Sequence, residues 1–288
     1  MTVPVLRLAA FTDPNRADAS AGGNPAGVVL DASALDDAAM QAIAAEVGYA
    51  ETAFVTERSV GGDPRHSRLR YFSPVAEVPF CGHATVATAV ALARRDGVGA
   101  LTFETSVGPI TIQTRATDAG LTASFTSVDP QVRALAPEVL ARLLALLGAS
   151  PSSLHPGYPP RLAFAGNWHP VLVFTDAAEF DAFTFDPAAM RALMDEQGWA
   201  GTVTTLSVRG DGEFEARNLF PVGTLVEDPA TGSAAASVGG YLRELGLVRP
   251  PTRVVIHQGR HVGRPSLLLV DVPVTGGIVV SGAAAEIA

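Results

Sequence analysis

Glu51, Cys81 and His83 have the side-chain chemistry needed for proton transfer, and each lies at the end of an expected helix or strand. Glu51 precedes an apolar strand at 52–56, which leaves two interpretations: a partly buried carboxylate that exchanges protons, or a solvated strand end. Cys81 could act as a thiolate base because a helix N-terminus stabilises negative charge, although a packing role is favoured for it. His83 lies at the same helix start, where a lone histidine is more often a capping or hydrogen-bonding group than a catalyst.

Two turns rich in small residues each lead into an alanine-rich segment. The first contains Gly82, and the second contains Asp228, Gly232 and Ser233. The start of a helix exposes backbone N–H groups and the positive end of the helix dipole, which together attract anions. These turns could therefore hold a substrate carboxylate or stabilise an enolate-like intermediate, whereas ordinary helix capping by Thr231 or Ser233 is the alternative.

Both turns belong to a repeat that spans about half of the chain. Three blocks recur in the same order, at offsets of 143, 150 and 147 residues. The blocks begin at Gly23 and Gly166, at Asp36 and Asp186, and at Arg70 and Arg217. Such a long period predicts two like-folded halves, with the ligand site between them, rather than a solenoid. In this alignment Gly201 corresponds to Glu51 and Asp228 to Cys81, so a symmetric two-base site is disfavoured.

The elements that must position these residues mix helices with mostly antiparallel strands. Helices are predicted at 36–47, 83–95, 137–147, 187–197 and 233–245. Strands are predicted at 3–11, 27–30, 52–56, 68–73, 101–104, 110–114, 121–125, 171–174, 203–208, 213–219, 253–257, 266–272 and 278–281. This mixture predicts an α+β fold of two pseudo-symmetric halves, each a barrel-like sheet around a central helix. The predicted domains are 1–122, which the C-terminal strand can complete, and 123–288.

Composition excludes several classes of protein. With 288 residues, 48% apolar and 17% charged, the chain can bury the cores of two globular domains. The net charge of −9 argues against nucleic acid and anionic membranes as partners. No apolar run approaches the ~20 residues needed to span a bilayer, and no basic N-terminal region precedes an apolar one. We therefore expect a cytoplasmic protein.

Cofactor chemistry is likewise not expected. The chain contains no lysine, which excludes a Schiff base to pyridoxal phosphate and a Walker-type phosphate site. Cys81 is the single cysteine, so an internal disulfide is excluded. His257 and His261 have no third ligand at a suitable spacing, and no glycine-rich dinucleotide motif is present. The sequence therefore predicts neither a metal nor a cofactor.

Several segments together resemble one known family along nearly the whole chain. They are Gly23-Asn24-Pro25-Ala26, Glu51-Thr52-Ala53-Phe54-Val55, Cys81-Gly82-His83-Ala84-Thr85, Asp228-Pro229-Ala230-Thr231-Gly232-Ser233 and Gln258-Gly259. In these the chain is similar to the PhzF-like isomerases of phenazine biosynthesis. The resemblance implies the diaminopimelate epimerase-like fold, a homodimer and no cofactor.

The resemblance also implies roles for particular residues. By this resemblance Glu51 moves a proton within a small carboxylated substrate, and His83 and Asp228 assist it. The glycine amides of Gly82 and Gly232, together with the hydroxyl of Ser233, would then bind the substrate. The phenazine enzyme itself has alanine where this chain has cysteine at position 81, which leaves the substrate open.

The sequence thus predicts a cofactor-independent isomerase that transfers a proton on a small anionic substrate, with Glu51 as the general acid and base. Two alternatives stay open at this point. One is a racemase or epimerase that uses Cys81 with a carboxylate base. The other is a non-catalytic protein that binds a small anion with the same residues.

Overall fold

The computed structural model describes residues 3–16, 18–118, 120–222 and 225–287. The chain forms two compact units, one made of Met1–Thr126 with Ser281–Ala288 and the other of Ser127–Val280. In each unit a curved set of strands surrounds one buried helix, and further helices pack outside. The predicted α+β class is therefore confirmed.

The first unit is a ring of strands. Its strands are β1 (Leu6–Thr12), β2 (Asn24–Val29), β3 (Glu51–Arg58), β4 (His66–Phe72), β5 (Glu77–Val78), β6 (Gly99–Thr105), β7 (Gly108–Thr117), β8 (Gly120–Thr126) and β17 (Val279–Glu286). Strand β1 pairs with β2 and β17, and the order continues from β2 through β3, β4, β6 and β7 to β8. Because β8 also pairs with β17, the ring is closed. The C-terminal strand is thus part of this unit.

Helix α2 (Gly82–Asp96) fills the first unit. Every residue from His83 to Ala93 is buried, and the helix packs against β1, β2, β3, β7 and β8. Its alanine content explains this placement, because small side chains allow strands to approach the helix axis on all sides. The entrance of the helix, with Cys81 and His83, is therefore held by the surrounding strands.

Helix α1 (Asp37–Val47) covers the outside of the same sheet. The carboxylate of Asp36 accepts a hydrogen bond from the backbone N–H of Ala39 and so caps the start of the helix. Met40 and Ala44 share one face and pack into a cluster with Phe54. This packing fixes β3, the strand that begins at Glu51.

The second unit repeats the plan with additional helices. Its strands are β9 (Gln131–Ala134), β10 (Arg161–Phe164), β11 (Trp168–Phe174), β12 (Val203–Gly210), β13 (Glu213–Leu219), β14 (Glu227–Asp228), β15 (Thr252–Gln258) and β16 (Ser266–Val272). Its helices are α3 (Pro137–Leu146), α4 (Ala177–Ala182), α5 (Pro187–Gln197) and α6 (Gly232–Glu244). Strands β9 to β13 pair in chain order, and β15 joins β13 with β16 beyond it.

Helix α6 is the counterpart of α2 inside this sheet. Ten of its thirteen residues are buried, and it packs against β9, β10, β11 and β16. At Gly240 an added Cβ would lie 2.4 Å from the Cβ of Pro130, which is far inside van der Waals contact. Only glycine therefore allows the segment before β9 to pass this closely over the helix.

All five predicted helices are present, each within one residue of its predicted bounds. Four strands and one α-helix were missed, namely β5, β9, β10, β14 and α4. The four residues of β9 are mostly exposed and show no alternation, and the six residues of α4 are too few for a helical period to emerge. Among the described residues no helix combines the length and apolar character that crossing a membrane requires.

Candidate active site

Glu51, Cys81 and His83 form one cluster at the entrance of α2. The thiol of Cys81 donates to Oε2 of Glu51 at 3.3 Å, and its Sγ lies 3.3 Å from Nδ1 of His83. Nε2 of His83 is 3.5 Å from the same Oε2. Cys81 and His83 are buried, whereas the Glu51 side chain keeps 21% of its surface exposed. A carboxylate that is partly exposed and touches two titratable groups can exchange protons with a ligand.

A hydrogen-bond chain behind this cluster fixes the helix entrance. Thr85 donates its hydroxyl hydrogen to the carbonyl oxygen of Cys81 at 2.6 Å. Thr85 has only this one hydrogen, so the hydroxyl of Tyr71, 2.7 Å away, must donate to Oγ1 of Thr85. Burial raises the pKa of Tyr71, which keeps this donor neutral. The backbone of Cys81 is therefore anchored to β4.

An arginine clamp holds the short strand before the entrance. Arg70 donates from Nε and Nη2 to the two carboxylate oxygens of Glu77, each at 2.7 Å, and from Nη1 to Asp37 at 2.6 Å. The guanidinium holds the pKa of Asp37 below its usual value. Since Glu77 lies on β5 and Asp37 on α1, the clamp ties both elements to β4.

In the second unit, Gln258 organises the turn that carries Asp228. Gln258 is buried, and its Nε2 donates to the backbone oxygen of Asp228 at 2.6 Å and to Oγ1 of Thr231 at 3.0 Å. Its Oε1 accepts from the backbone N–H of Thr231. Thr231 in turn donates its hydroxyl to the carboxylate of Asp228. The side chain of Thr231, at the N-cap of α6, is thus committed to Asp228 rather than to capping the helix.

Ser233 belongs to a second hydrogen-bond group at the same helix. Its Oγ lies 3.1 Å from Nε2 of His169, which is the second residue of β11. Nδ1 of His169 receives the backbone N–H of Thr202 at 3.1 Å. Oδ1 of Asn218 accepts the hydroxyls of Thr202 and Thr204, both at 2.7 Å. This group contains no carboxylate and no thiol.

His169 is expected to make folding stability depend on pH. Burial lowers its pKa from 6.5 to about 4, so the folded state keeps the ring neutral while the unfolded chain binds a proton below pH 6.5. Its contribution is complete above pH 6.5 and is lost as the pH falls from 6.5 towards 4. Between pH 7 and pH 5 we expect the wild type to lose about 2 kcal/mol more unfolding free energy than His169→Gln.

Urea unfolding at the two pH values measures this difference. Trp168 and Trp199 are the two tryptophans of the chain, so intrinsic fluorescence reports on the second unit, which also contains His169. An equal loss in the wild type and in His169→Gln would show that His169 titrates normally in the folded state.

Strand register shows which positions of the two units are equivalent. In the first unit Phe72 pairs with Glu77, and in the second unit Leu219 pairs with Glu227. The helix N-caps Cys81 and Thr231 lie four residues after Glu77 and Glu227, respectively. Cys81 therefore corresponds to Thr231, and not to Asp228 as the sequence alignment had it.

The same register corrects the partner of Glu51 and gives the partner of His83. Thr52 pairs with Phe72, and Val203 pairs with Leu219. Glu51 directly precedes Thr52, and Thr202 directly precedes Val203, so Glu51 corresponds to Thr202 and not to Gly201. His83 and Ser233 each lie two residues after the N-cap of their helix, so they correspond as well. The match of Cys81 with Asp228 failed because the chain between β13 and β14 is three residues longer than that between β4 and β5. The asymmetry between the units becomes sharper: glutamate, cysteine and histidine in one, and three neutral hydroxyls in the other.

The structure places the predicted site residues in two groups. Glu51 and His83 lie together at Gly82, and Cys81, for which a packing role was favoured, lies between them. Asp228 lies at the turn before Gly232, and Ser233 follows Gly232 in α6. Sequence reasoning missed Gln258 and His169 as residues of the site. Gln258 stands in the segment Gln258-Gly259 that carries the family resemblance but was given no role, and nothing in the sequence marks His169.

The first group could also hold a metal ion. One ligand atom from each of Glu51, Cys81 and His83 lies within 4.8 Å of the others. Thiolate, imidazole and carboxylate are all ligands of Zn²⁺, and three protein ligands leave a fourth position open. No other such set is found in the described ranges.

Known proteins resemble the chain in sequence and in fold. The family model "Phenazine biosynthesis-like protein" matches residues 8–287. An uncharacterized isomerase, YddE, of Salmonella typhimurium is 33% identical over 282 residues, which cover 96% of this chain and 91% of the relative. Trans-2,3-dihydro-3-hydroxyanthranilate isomerase of Pseudomonas fluorescens is 34% identical over 247 residues, which cover 85% and 84%. The crystal structure of a Bacillus anthracis phenazine biosynthesis protein of the PhzF family superposes with a TM-score of 0.83 at 26% identity, covering 99% and 96% of the two chains.

The two-unit fold and these relatives define the chain as an isomerase. More closely, the chain belongs to the phenazine biosynthesis-like family, the PhzF family, whose model spans nearly its whole length.

Proposed function

We propose that this isomerase transfers a proton within a small carboxylated substrate and that Glu51 is the general acid and base. The carboxylate of Glu51 would take a proton from a substrate carbon, leave the electron pair delocalised in the substrate, and return the proton to another carbon. His83 and Asp228 would orient the substrate and balance charge. Gly82, Gly232 and Ser233 would bind its anionic group.

One observation carries the proposal, namely the contact of Glu51 Oε2 with both Cys81 Sγ and His83 Nε2 at 3.3 and 3.5 Å. The equivalent positions of the second unit hold Thr202, Thr231 and Ser233, none of which titrates near neutral pH. Proton transfer is therefore assigned to one carboxylate rather than to a symmetric pair. That one substrate reaches both Glu51 and Asp228, as the repeat predicts, is part of the proposal.

Deuterium incorporation from solvent tests the reaction type. The protein is incubated in D₂O with a panel of small carboxylic acids that includes trans-2,3-dihydro-3-hydroxyanthranilate, the compound named for the Pseudomonas relative. A proton-transferring isomerase exchanges carbon-bound hydrogen for deuterium in its substrate, and NMR detects this exchange. Thermal stabilisation by several acids with no exchange in any of them would favour the non-catalytic anion-binding alternative.

Metal removal is expected to leave this exchange unchanged, because the proposal needs no cofactor. Dialysis against EDTA followed by the D₂O assay measures this expectation. Added Zn²⁺ should inhibit by binding Glu51, Cys81 and His83, and Cys81→Ala should weaken that inhibition since it removes the thiolate ligand. Loss of exchange on dialysis, with recovery on addition of metal, would contradict cofactor independence.

The racemase or epimerase alternative is retained because of one contact. The thiol of Cys81 donates directly to Glu51, so sulfur and carboxylate could share a proton. In that reaction Cys81 would itself face the substrate carbon.

A homodimer and a cytoplasmic location, which the sequence and its family resemblance imply, are proposed alongside the isomerase function. Sedimentation measures the first, and localisation experiments measure the second.

A further inference from the structure

Gln258 is a buried amide whose orientation is determined by two backbone groups. It is the last residue of β15, and 1% of its surface is exposed. The backbone N–H of Thr231, which can only donate, meets Oε1 at 3.2 Å. The backbone oxygen of Asp228, which can only accept, meets Nε2 at 2.6 Å. With the amide turned over, a donor would face a donor and an acceptor would face an acceptor, so only this orientation is possible.

The amide in turn determines where the hydroxyl hydrogen of Thr231 points. Nε2 of Gln258 also lies 3.0 Å from Oγ1 of Thr231, and since an amide nitrogen cannot accept a hydrogen bond, it is the donor. The hydroxyl of Thr231 therefore donates elsewhere, and its acceptor is the carboxylate of Asp228. The hydrogen bonds thus run in one direction, from the amide to the hydroxyl and from the hydroxyl to the carboxylate.

The hydroxyl of Thr231 binds Asp228 in place of the usual helix cap. Thr231 is the N-cap residue of α6, yet its side chain accepts no hydrogen bond from the backbone of the helix. Such a bond ordinarily contributes about 1 kcal/mol to helix stability. The hydroxyl instead orients Asp228, a residue that is partly exposed. A side chain that is withdrawn from capping and directed at an exposed carboxylate indicates a contribution to a site rather than to the fold.

The first unit has a different residue at the position of Gln258. The parallel pairings of β15 with β13 and of β6 with β4 make Thr105 its equivalent. Both side-chain partners of Thr105, the carbonyl oxygen of Gly108 and the backbone N–H of Val107, belong to its own turn. The amide at position 258 is therefore a feature of the unit that carries Asp228, and the repeat alone does not require it.

We propose that Gln258 is a positioning residue which, through the hydroxyl of Thr231, holds the carboxylate of Asp228 in the orientation that meets the substrate. The inference rests on the proposed function in taking Asp228 as a substrate contact. A carboxylate on a rotatable side chain loses conformational freedom when it binds a ligand, and the hydrogen bonds from Gln258 impose that loss before the ligand arrives. Because Gln258 is buried, it acts through Thr231 and not on the substrate.

The orientation of Asp228 is tested without a substrate. Thr231→Val keeps the shape of the side chain but removes the hydroxyl, whereas Thr231→Ser keeps the hydroxyl. In crystal structures of the unliganded proteins we expect the Asp228 carboxylate to leave its wild-type position in Thr231→Val and to keep it in Thr231→Ser. A carboxylate that stays in place in Thr231→Val overturns the proposal whatever the enzyme's activity. Failure of the proposed isomerase function is seen separately, as absence of deuterium exchange in the wild type.

The effect on catalysis is measured as kcat/KM for deuterium exchange, with the acid of the panel that the wild type exchanges fastest. Thr231→Val should lower kcat/KM by about 10- to 100-fold, the scale of a small misplacement in a site, and Thr231→Ser should retain most of it. Because Thr231 acts through Asp228, the double variant Thr231→Val/Asp228→Ala should be no slower than Asp228→Ala alone. Additive losses would assign Thr231 a purely structural role and would overturn the proposal, as would full activity in Thr231→Val.

Gln258→Glu tests whether the amide must donate. The introduced carboxylate cannot donate to Thr231 or to the backbone oxygen of Asp228, whereas its protonated form supplies one hydrogen. Burial and the nearby carboxylate of Asp228 both favour the protonated form and so raise the pKa of the introduced group. Its strand partners, Ala216 and Ser266, carry no charge. Lowering the pH should therefore restore a donor at this position.

The pH profile of exchange measures this recovery. We expect the rate of Gln258→Glu, relative to the wild type at the same pH, to rise as the pH falls from 8 to 5. Gln258→Met cannot donate at any pH, so its relative rate should stay low and constant. Gln131→Glu adds the same charge at an exposed position of the second unit and should match the wild type throughout. Equal rates for Gln258→Glu and Gln258→Met at every pH overturn the proposal.

Discussion

Replacing Glu51 by glutamine is expected to lower kcat/KM for proton exchange by about 10²- to 10⁴-fold, the range that a positioned acid or base contributes. Glutamine keeps the shape of the side chain and can still accept the thiol hydrogen of Cys81, 3.3 Å away in the wild type. It cannot take up or release a proton near neutral pH. Folding and ligand binding should therefore persist while label incorporation and isomerisation fall together. The measurements are the D₂O exchange rate and the urea midpoint.

Glu57→Gln is the matched control for this variant. Glu57 lies on the same strand, β3, but its side chain is 49% exposed and pairs with Arg68. The same chemical change there should leave exchange at the wild-type rate. If Glu51→Gln kept full exchange in a folded protein, the assignment of the acid and base would be wrong.

Cys81→Ser and Cys81→Ala separate the proposed reaction from the thiol-base alternative. If Glu51 alone moves the proton, both variants should retain most of the exchange activity, because Cys81 would then contact the carboxylate of Glu51 and not the reacting carbon. Ser keeps a donor towards Glu51, whereas Ala removes it, so a small difference between them reports on that hydrogen bond. A loss as large as that of Glu51→Gln in both variants would instead favour a racemase that uses sulfur.

Local sequence patterns were sufficient to predict much of the fold. Asp36 and Asp186 each precede an apolar helical period, and both carboxylates cap their helices through backbone N–H groups as such residues do. The repeat itself was visible because β-strand and helix periods recur with their flanking turns. The presence of Glu51, His83, Asp228 and Ser233 at helix and strand ends could also be read from the sequence.

The pairing of positions across the repeat could not be predicted. It depends on strand register, and a three-residue difference in one connection shifts every later match. Gln258 and His169 were missed for a related reason. Their partners lie 27 and 64 residues away in the chain, at Thr231 and Ser233, and no local periodicity reports such contacts.

Removing Glu227 is expected to cost about 3–5 kcal/mol of unfolding free energy, because it leaves the buried guanidinium of Arg217 without its counter-charge. Both side chains are only 8% exposed, and Nη2 of Arg217 lies 2.6 Å from Oε1 of Glu227. The remaining donors of Arg217 reach the carbonyl oxygens of Phe180 and Phe183 at 3.0 Å, and the guanidinium stacks on the ring of Phe183 at 3.6 Å. Those carbonyl oxygens accept hydrogen bonds but carry no negative charge, so they cannot replace the carboxylate.

The repeat supplies the matched control for Glu227→Ala. Glu77 is the equivalent residue of the first unit and binds Arg70 in the same bidentate way, but these side chains are 43% and 28% exposed. Water can solvate that arginine, so Glu77→Ala should cost only about 1 kcal/mol or less. Circular dichroism follows the whole chain, and tryptophan fluorescence follows the second unit, where both tryptophans lie.

The double variant Arg217→Met/Glu227→Leu tests whether the uncompensated charge of Arg217 causes the loss of stability. Replacing both charges by apolar groups of similar size removes the uncompensated ion, so it should be less destabilising than Glu227→Ala alone. Glu227 immediately precedes Asp228 on β14. We therefore expect Glu227→Ala to lower exchange activity as well, and the double variant to recover stability before it recovers activity. Equal losses of unfolding free energy in Glu227→Ala and Glu77→Ala would contradict this explanation, in which the burial of the ion pair determines the cost of removing its glutamate.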